Sequence, residues 1–305
     1  MKKVLITGAG GFIARHCIPL LRDKKYRIHG TVLNTADTLS DQDDVFWHPV
    51  NLLDGNAVSE LVKIIKPTHL LHFGWYTEHR KFWDAEENLD WTSATIHLIK
   101  EFKKNGGERF VGAGSCAEYD WRYGYCTENV TPLNPSSLYG KCKNAVHLIA
   151  REYAALHKIS FAWGRIFFLY GPHENPNRLI SYVITSLLQN RAARCSHGTQ
   201  IRDFMHVVDV ANAFVALLDS DIDGPVNIAS GNPLSLKHII DSIGEIINRQ
   251  DLILYGANPG NPGDPAFLAA DVQRLKNELQ WNPEYGIKEG LQQTIHWWKN
   301  HLKVT

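Results

Sequence analysis

Short apolar runs and amphipathic stretches alternate along the first half of the chain. Val4 to Ile6 reads as a strand, and an apolar-periodic stretch from Phe12 to Leu21 reads as the helix after it. Tyr26 to Leu33 and Val45 to Pro49 follow as strands, and Ala57 to Ile65 as a helix stopped by Pro67. Leu70 to Phe73 is a fourth strand, Trp91 to Lys103 a helix, and Arg109 to Ala113 a fifth strand. A long helix from Tyr139 to His157 leads into a strand from Ser160 to Phe168. This alternation predicts an α/β fold, a Rossmann-type doubly wound parallel sheet with helices on both faces.

After Tyr170-Gly171-Pro172 the regularity weakens. Turn-forming residues cluster at Pro172 to Asn177 and again at Asn258 to Pro265. Helical patterns lie at Ile180 to Leu188, Val207 to Leu218, Leu236 to Ile247 and Lys288 to Asn300. The reading is a dinucleotide-binding domain over 1–170 and a smaller, mainly helical substrate lobe over 171–305. A segment near 205–228 is expected to return to the first domain.

Composition narrows the function classes. Of 305 residues, 44% are hydrophobic and 21% charged, which fits a folded globular chain. Lys plus Arg and Asp plus Glu both number 32, so no net field draws nucleic acid or anionic membrane. The 5 cysteines form no C-x-x-C pair and read as free thiols in a reducing compartment. Val4-Leu5-Ile6 runs straight into glycines, so no signal peptide is read and a cytoplasmic location is expected. The 15 histidines lack metal-ligand spacing, and no metal site is expected.

The loop Thr7-Gly8-Ala9-Gly10-Gly11-Phe12-Ile13-Ala14 follows a strand and opens a helix. Glycines there let a pyrophosphate approach the backbone, and the helix start supplies N–H groups and positive dipole. This predicts a dinucleotide on Gly8, Gly11, Phe12 and Ile13. An acid at the end of the second strand favours NAD, but Leu33-Asn34 carries none. The reading therefore leans to NADP, with Asn34 at the ribose, Arg15 as the candidate for a 2′-phosphate, and NAD as the alternative.

Tyr139 and Lys143 lie at i and i+4 of one predicted helix, so they share a face. A nearby ammonium favours the phenolate and makes tyrosine a usable acid–base group. Ser115 follows the fifth strand, where open α/β sheets hold their ligands, and its hydroxyl can bond a carbonyl oxygen.

Together these residues resemble the extended short-chain dehydrogenase/reductases, in the branch that modifies nucleotide-sugars. Asn51-Leu52-Leu53-Asp54, His72-Phe73-Gly74-Trp75, Thr127-Glu128, Tyr170-Gly171-Pro172, Arg202-Asp203-Phe204 and Pro262-Gly263-Asp264 continue the likeness nearly end to end. The resemblance implies that Ser115, Tyr139 and Lys143 are catalytic, with Tyr139 relaying a proton and Lys143 also holding the nicotinamide ribose. It adds Asn51, Leu52, Phe73 and Gly74 to the cofactor site. It implies a nucleotide-diphosphate sugar as ligand, with Trp75, Cys116, Arg178 and Arg202 toward it, Arg202 on the diphosphate. It also implies a homodimer through Trp91–Lys103 and Tyr139–His157.

Departures from the family pattern narrow the reaction. The dehydratases carry an Asp-Glu pair directly after the serine; this chain has Cys116 and Ala117. The epimerase/reductases of the GDP-fucose type carry a cysteine at the position of Ala117, so Cys116 stands one residue early. Phe168 replaces an asparagine common before Y-G-P, and Asn261 an arginine common before P-G-D. Two plain activities remain. The first is NADP-dependent reduction of a nucleotide-diphospho-4-keto-6-deoxyhexose at C4, which the polar, aromatic spacer Glu118–Tyr125 also favours. The alternative is a 4-epimerase that retains NAD. The intact Ser115, Tyr139 and Lys143 argue against a non-catalytic dinucleotide-binding protein.

Overall fold

Val4, Leu5 and Ile6 have no polar face to offer water, and all three are fully buried in the middle of a sheet. The structure is a computed structural model that describes residues 1–39, 44–260 and 263–304. The sheet comprises β1 (Lys3–Thr7), β2 (Arg27–Val32), β3 (Phe46–Pro49), β4 (His69–His72), β5 (Arg109–Ser115), β6 (Ser160–Ile166) and β7 (Gly224–Ile228). Its order is β3-β2-β1-β4-β5-β6-β7, and every pairing is parallel. The direction of winding reverses between β1 and β4, which opens a crevice at the carboxyl ends of those strands.

The helices are α1 (Ala14–Asp23), α2 (Gly55–Ile65), α3 (Glu87–Lys104), α4 (Leu138–His157), α5 (Leu179–Leu188), α6 (Val207–Leu218), α7 (Leu236–Ile247) and α8 (Ile287–Leu302). One apolar cluster joins the sheet to α1 and α6, through Cys17, Ile18, Val210 and Phe214. A second joins the other face to α2, α3 and α4, through Val62, Phe102 and Val146. The third holds α5, α7 and α8 together around Ile184, Ile240 and Ile295. Residues 205–228 supply α6 and β7, so this stretch lies with the parallel sheet.

Several boundaries differ from expectation. The strand after α4 ends at Ile166 rather than running to Phe168. The Phe167 N–H still reaches the Ile228 carbonyl at 3.1 Å, but the Phe168 N–H turns to the Asp203 carbonyl. Phe168–Tyr170 then pairs in parallel with Phe204–His206, outside the main sheet. α2 starts at Gly55 because the Asp54 carboxylate accepts from the Asn56 and Ala57 N–H groups. α3 begins a turn earlier than expected, at Glu87. A small sheet joins Leu234–Ser235, Ile201–Arg202 and Phe267–Ala270 to Tyr125–Cys126 from the first half of the chain. No helix among the described residues is long and apolar enough to cross a membrane.

Candidate active site at the carboxyl edge of the sheet

The glycine loop joins β1 to α1. Gly8 sits at φ +65°, a left-handed conformation that side chains rarely adopt, and a Cβ there would meet the Gly74 backbone at 3.3 Å. No side chain caps the start of α1, and its first turn holds no acid. The first N–H groups of a helix have no partner within it. The bare helix start beside the exposed Gly11 thus fits the pyrophosphate of a dinucleotide. Phe12 and Ile13 are half-buried at the same turn.

A relay of hydrogen bonds fixes the facing strand end. The Phe73 and Gly74 N–H groups donate to Thr7 Oγ1 at 3.1 Å each. Thr7 Oγ1 lies 2.7 Å from His72 Nδ1, and His72 Nε2 lies 2.9 Å from Thr95 Oγ1. Burial drives the His72 pKa down to about 3, so the ring is neutral. With the Thr7 hydroxyl donating to Nδ1, the Nε2–H donates to Thr95. Leu52 packs against Gly74, and the Asn51 side chain accepts from the Leu53 N–H at 3.0 Å.

Asn34 follows β2 and opens a short turn, Thr35–Asp37. Its N–H donates to the Asp37 carboxylate at 3.1 Å. The turn folds back on the glycine loop: a Cβ on Gly10 would lie 2.6 Å from the Asp37 carbonyl. The Asp37 backbone carbonyl thus faces the loop, while its carboxylate lies at the end of β2, on the Asn34 N–H. Arg15 donates to the Gly10 carbonyl at 3.2 Å and also meets His173.

Ser115 ends β5 and begins a turn in which its Oγ accepts from the Ala117 N–H at 3.2 Å. Tyr139 and Lys143 occupy one face of α4, both buried. The phenol is hydrogen-bonded with Ser115, while burial pushes its pKa well above the usual tyrosine range. The Lys143 ammonium donates to the Ala113 carbonyl at 3.0 Å and lies 3.8 Å from the Trp75 ring centre. Burial lowers its pKa to about 7. The structure thus gathers Ser115, Tyr139 and Lys143 at one strand end.

The surroundings of Tyr139 are aromatic. Phe82, Trp83 and Trp75 present their edges or faces to its ring at 4.9, 5.8 and 6.5 Å. The Trp83 carbonyl accepts the Tyr139 N–H at 2.9 Å. Sequence reasoning missed Phe82 and Trp83; the aromatic pair after a basic run, His79-Arg80-Lys81, was the available signal. Trp75 is buried and donates its indole N–H to Asn88 at 2.9 Å, so it forms the floor under Lys143.

The substrate arginines divide. Arg178 caps α5 at its backbone, lies over the Phe82 ring, and its charge acts on Tyr139. Arg202 is buried, pairs with Asp264 at 2.8 Å, and donates to the Pro265 and Ile201 carbonyls. It also lies 5.4 Å from the Phe168 ring and acts on Cys116. Asn261 and Pro262 lie outside the described residues. Cys116 is buried, and burial pushes its thiol far above the ordinary range, so it is no nucleophile as it stands. Among the described residues no group of three or more His, Cys, Asp or Glu side chains is placed to hold a metal ion.

Residues 4–229 match the model of the NAD dependent epimerase/dehydratase family. The chain is 30% identical to UDP-glucuronic acid decarboxylase 3 of Arabidopsis thaliana over 304 residues, 95% of this chain and 86% of that one. It is 24% identical to UDP-glucuronate 4-epimerase of Thermodesulfobacterium geofontis, over 98% of this chain and 97% of that one. Among solved structures, MoeE5 in complex with UDP-glucose and NAD is 26% identical, with a TM-score of 0.86 over 98% of this chain and 99% of that one. The protein belongs to the NAD dependent epimerase/dehydratase family of enzymes.

Proposed function

We propose that the protein is a nucleotide-sugar 4-epimerase that works with a retained NAD and takes a uridine-diphosphate hexose. One observation carries this reading: Ser115, Tyr139 and Lys143 converge, and the two positions after Ser115 are Cys116 and Ala117 rather than an acid pair. Dehydration at C5 and C6 needs such an acid–base pair. The nearest acid, Glu118, accepts from Ser115, Trp163 and Arg165 and is fully buried. Oxidation and reduction at one carbinol needs no such pair.

A bound nicotinamide would supply reversible hydride transfer at C4. Gly8, Gly11, Phe12 and Ile13 would hold its pyrophosphate, and Asn51, Leu52, Phe73 and Gly74 would frame the rest of the dinucleotide. Tyr139 takes the C4 hydroxyl proton as C4 is oxidised and gives it back to the same oxygen once the keto sugar has presented its other face. Lys143 stabilises the phenolate by charge and binds the nicotinamide ribose. Ser115 donates to the C4 oxygen. Arg178 and Arg202 flank the substrate, with Arg178 nearer Tyr139. The exposed side chains Leu148, Ile149 and Leu156 on α4 support a homodimer through α3 and α4.

The NADP-dependent 4-ketoreductase that the strand end at Asn34 favoured is the second reading. The Asp37 carboxylate, held on the Asn34 N–H at the end of β2, opposes a 2′-phosphate there. The NAD in the MoeE5 complex supports the same choice. The two readings separate in one experiment. The epimerase inverts C4 of UDP-glucose or UDP-glucuronate with no net change in nicotinamide absorbance. The reductase consumes NADPH stoichiometrically with a 4-keto-6-deoxy sugar nucleotide.

A further inference from the structure

Glu118 is fully buried, three residues after Ser115 and opposite α4. One carboxylate oxygen accepts the Ser115 N–H at 2.8 Å and the Trp163 indole N–H at 2.9 Å; the other accepts Arg165 Nε at 2.8 Å. Arg165, itself fully buried, also donates to the Tyr119 hydroxyl at 3.0 Å and the Glu128 carbonyl at 3.3 Å, and meets His147 Nδ1 at 3.2 Å. So the carboxylate is pinned from β6, while its other end grips the backbone of a candidate catalytic residue.

We propose that Glu118 is a positioning residue for the C4 chemistry: it fixes the Ser115 turn and supplies the buried anion that acts on the Tyr139–Lys143 pair. This rests on the C4 oxidation–reduction reading above. The geometry gives the first half directly. Ser115 Oγ already accepts from Ala117, and Glu118 holds the Ser115 N–H, so the turn is tied at both ends. The hydroxyl proton is left to point at Tyr139 or a substrate oxygen.

The second half concerns charge. Lys143 is faced by His72 from β4, Trp75 from the following loop, the Ala113 carbonyl from β5, Trp163 from β6 and Tyr139 on its own helix. His72 is neutral, and the aromatics and the carbonyl carry no net charge. Desolvation is the largest influence and lowers the Lys143 pKa; Glu118, bonded to the Trp163 indole whose ring centre lies 5.9 Å from the ammonium, opposes it. A negative charge at Glu118 therefore keeps the ammonium in place to higher pH. In a buried site such a charge acts more strongly than in water.

The test uses Glu118→Gln, with Arg165→Gln and the Glu118→Gln/Arg165→Gln double variant as controls. Breaking a buried pair from one side is destabilising, and the double variant restores a neutral pair. The first readout needs no substrate. The fluorescence of Trp75, obtained as wild type minus Trp75→Phe, titrates with Lys143 because the ammonium lies against that ring. We expect the midpoint to fall by about one pH unit in Glu118→Gln and in the double variant, and not in Arg165→Gln. Unchanged midpoints in a folded double variant would overturn the charge role. The second readout is turnover of the UDP-hexose: kcat falls about tenfold in the same two variants while KM changes less than about twofold. An intact kcat beside an active wild type overturns the positioning role. An inactive wild type instead rejects the epimerase reading, and the fluorescence titration still decides the charge role.

Discussion

Gly140, the residue after Tyr139, lies so close to the Ala117 carbonyl that a Cβ at 140 would be 2.3 Å from that oxygen. This contact sets the turn carrying Ser115 against the helix carrying Tyr139. It brings together two hydroxyls 24 residues apart in the chain.

Gly140→Ala therefore reverses the usual sign of its substitution. Inside a helix, Gly to Ala ordinarily stabilises by about 1 kcal/mol. Here it pushes the Ala117 carbonyl away, and a loss of about 1–3 kcal/mol is expected from overpacking. Displacing Ser115 from Tyr139 should also lower kcat by about tenfold or more. Denaturant unfolding and steady-state kinetics check both. A variant more stable than wild type with full activity contradicts this packing.

Glu174 predicts a pH-dependent stability. It is buried, and desolvation pushes its carboxyl from 4.5 up to about 7, against the Ser181 hydroxyl that donates to it at 2.6 Å. The folded chain thus holds a proton that the unfolded chain releases. That stabilisation is fully present below about pH 4.5 and is lost as the pH rises through about 7, on the order of 3 kcal/mol. Glu174→Gln stays neutral throughout and should lack this loss. Unfolding curves for both proteins on either side of this window decide it; parallel pH dependence contradicts it.

Cofactor choice turns on Asp37. NAD should bind tighter than NADP, and Asp37→Asn should narrow the gap by about tenfold by removing one like charge. Isothermal titration with both dinucleotides measures it. Tighter NADP binding to wild type returns the case to the reductase.

Removing the phenol tests the chemistry apart from binding. Tyr139→Phe keeps the ring that Phe82, Trp83 and Trp75 pack against. The expected loss in kcat is about 10²–10⁴-fold, with NAD affinity unchanged within about twofold. A variant with wild-type turnover assigns the proton transfer elsewhere.

Much of the fold is legible in the sequence because parallel strands buried on both faces appear as continuous apolar runs, as at Val4-Leu5-Ile6. The glycine loop and the Tyr139–Lys143 pair are legible for a related reason: their partners are local, within one turn of helix. What depends on distant partners is not. Glu118 reads as the first residue of a polar spacer, since Trp163 and Arg165 lie 45 and 47 residues away. Arg202 is a visible cation in the sequence, but its partners Asp264 and the Pro265 carbonyl lie 62 and 63 residues away and are not. Asp37 escapes notice because only the turn after Asn34 brings its carboxylate back to the strand end. The two-residue strands Tyr125–Cys126 and Ile201–Arg202 are too short to show any period.

The central claim is that C4 is oxidised and reduced in place with a retained NAD. The most direct measurement supplies UDP-glucose or UDP-glucuronate deuterated at C4 to the purified protein and follows the product by NMR. The account predicts a C4-inverted product that keeps its deuterium, with no net formation of NADH. Absence of inversion, or turnover only as stoichiometric consumption of NADPH with a 4-keto sugar, contradicts it.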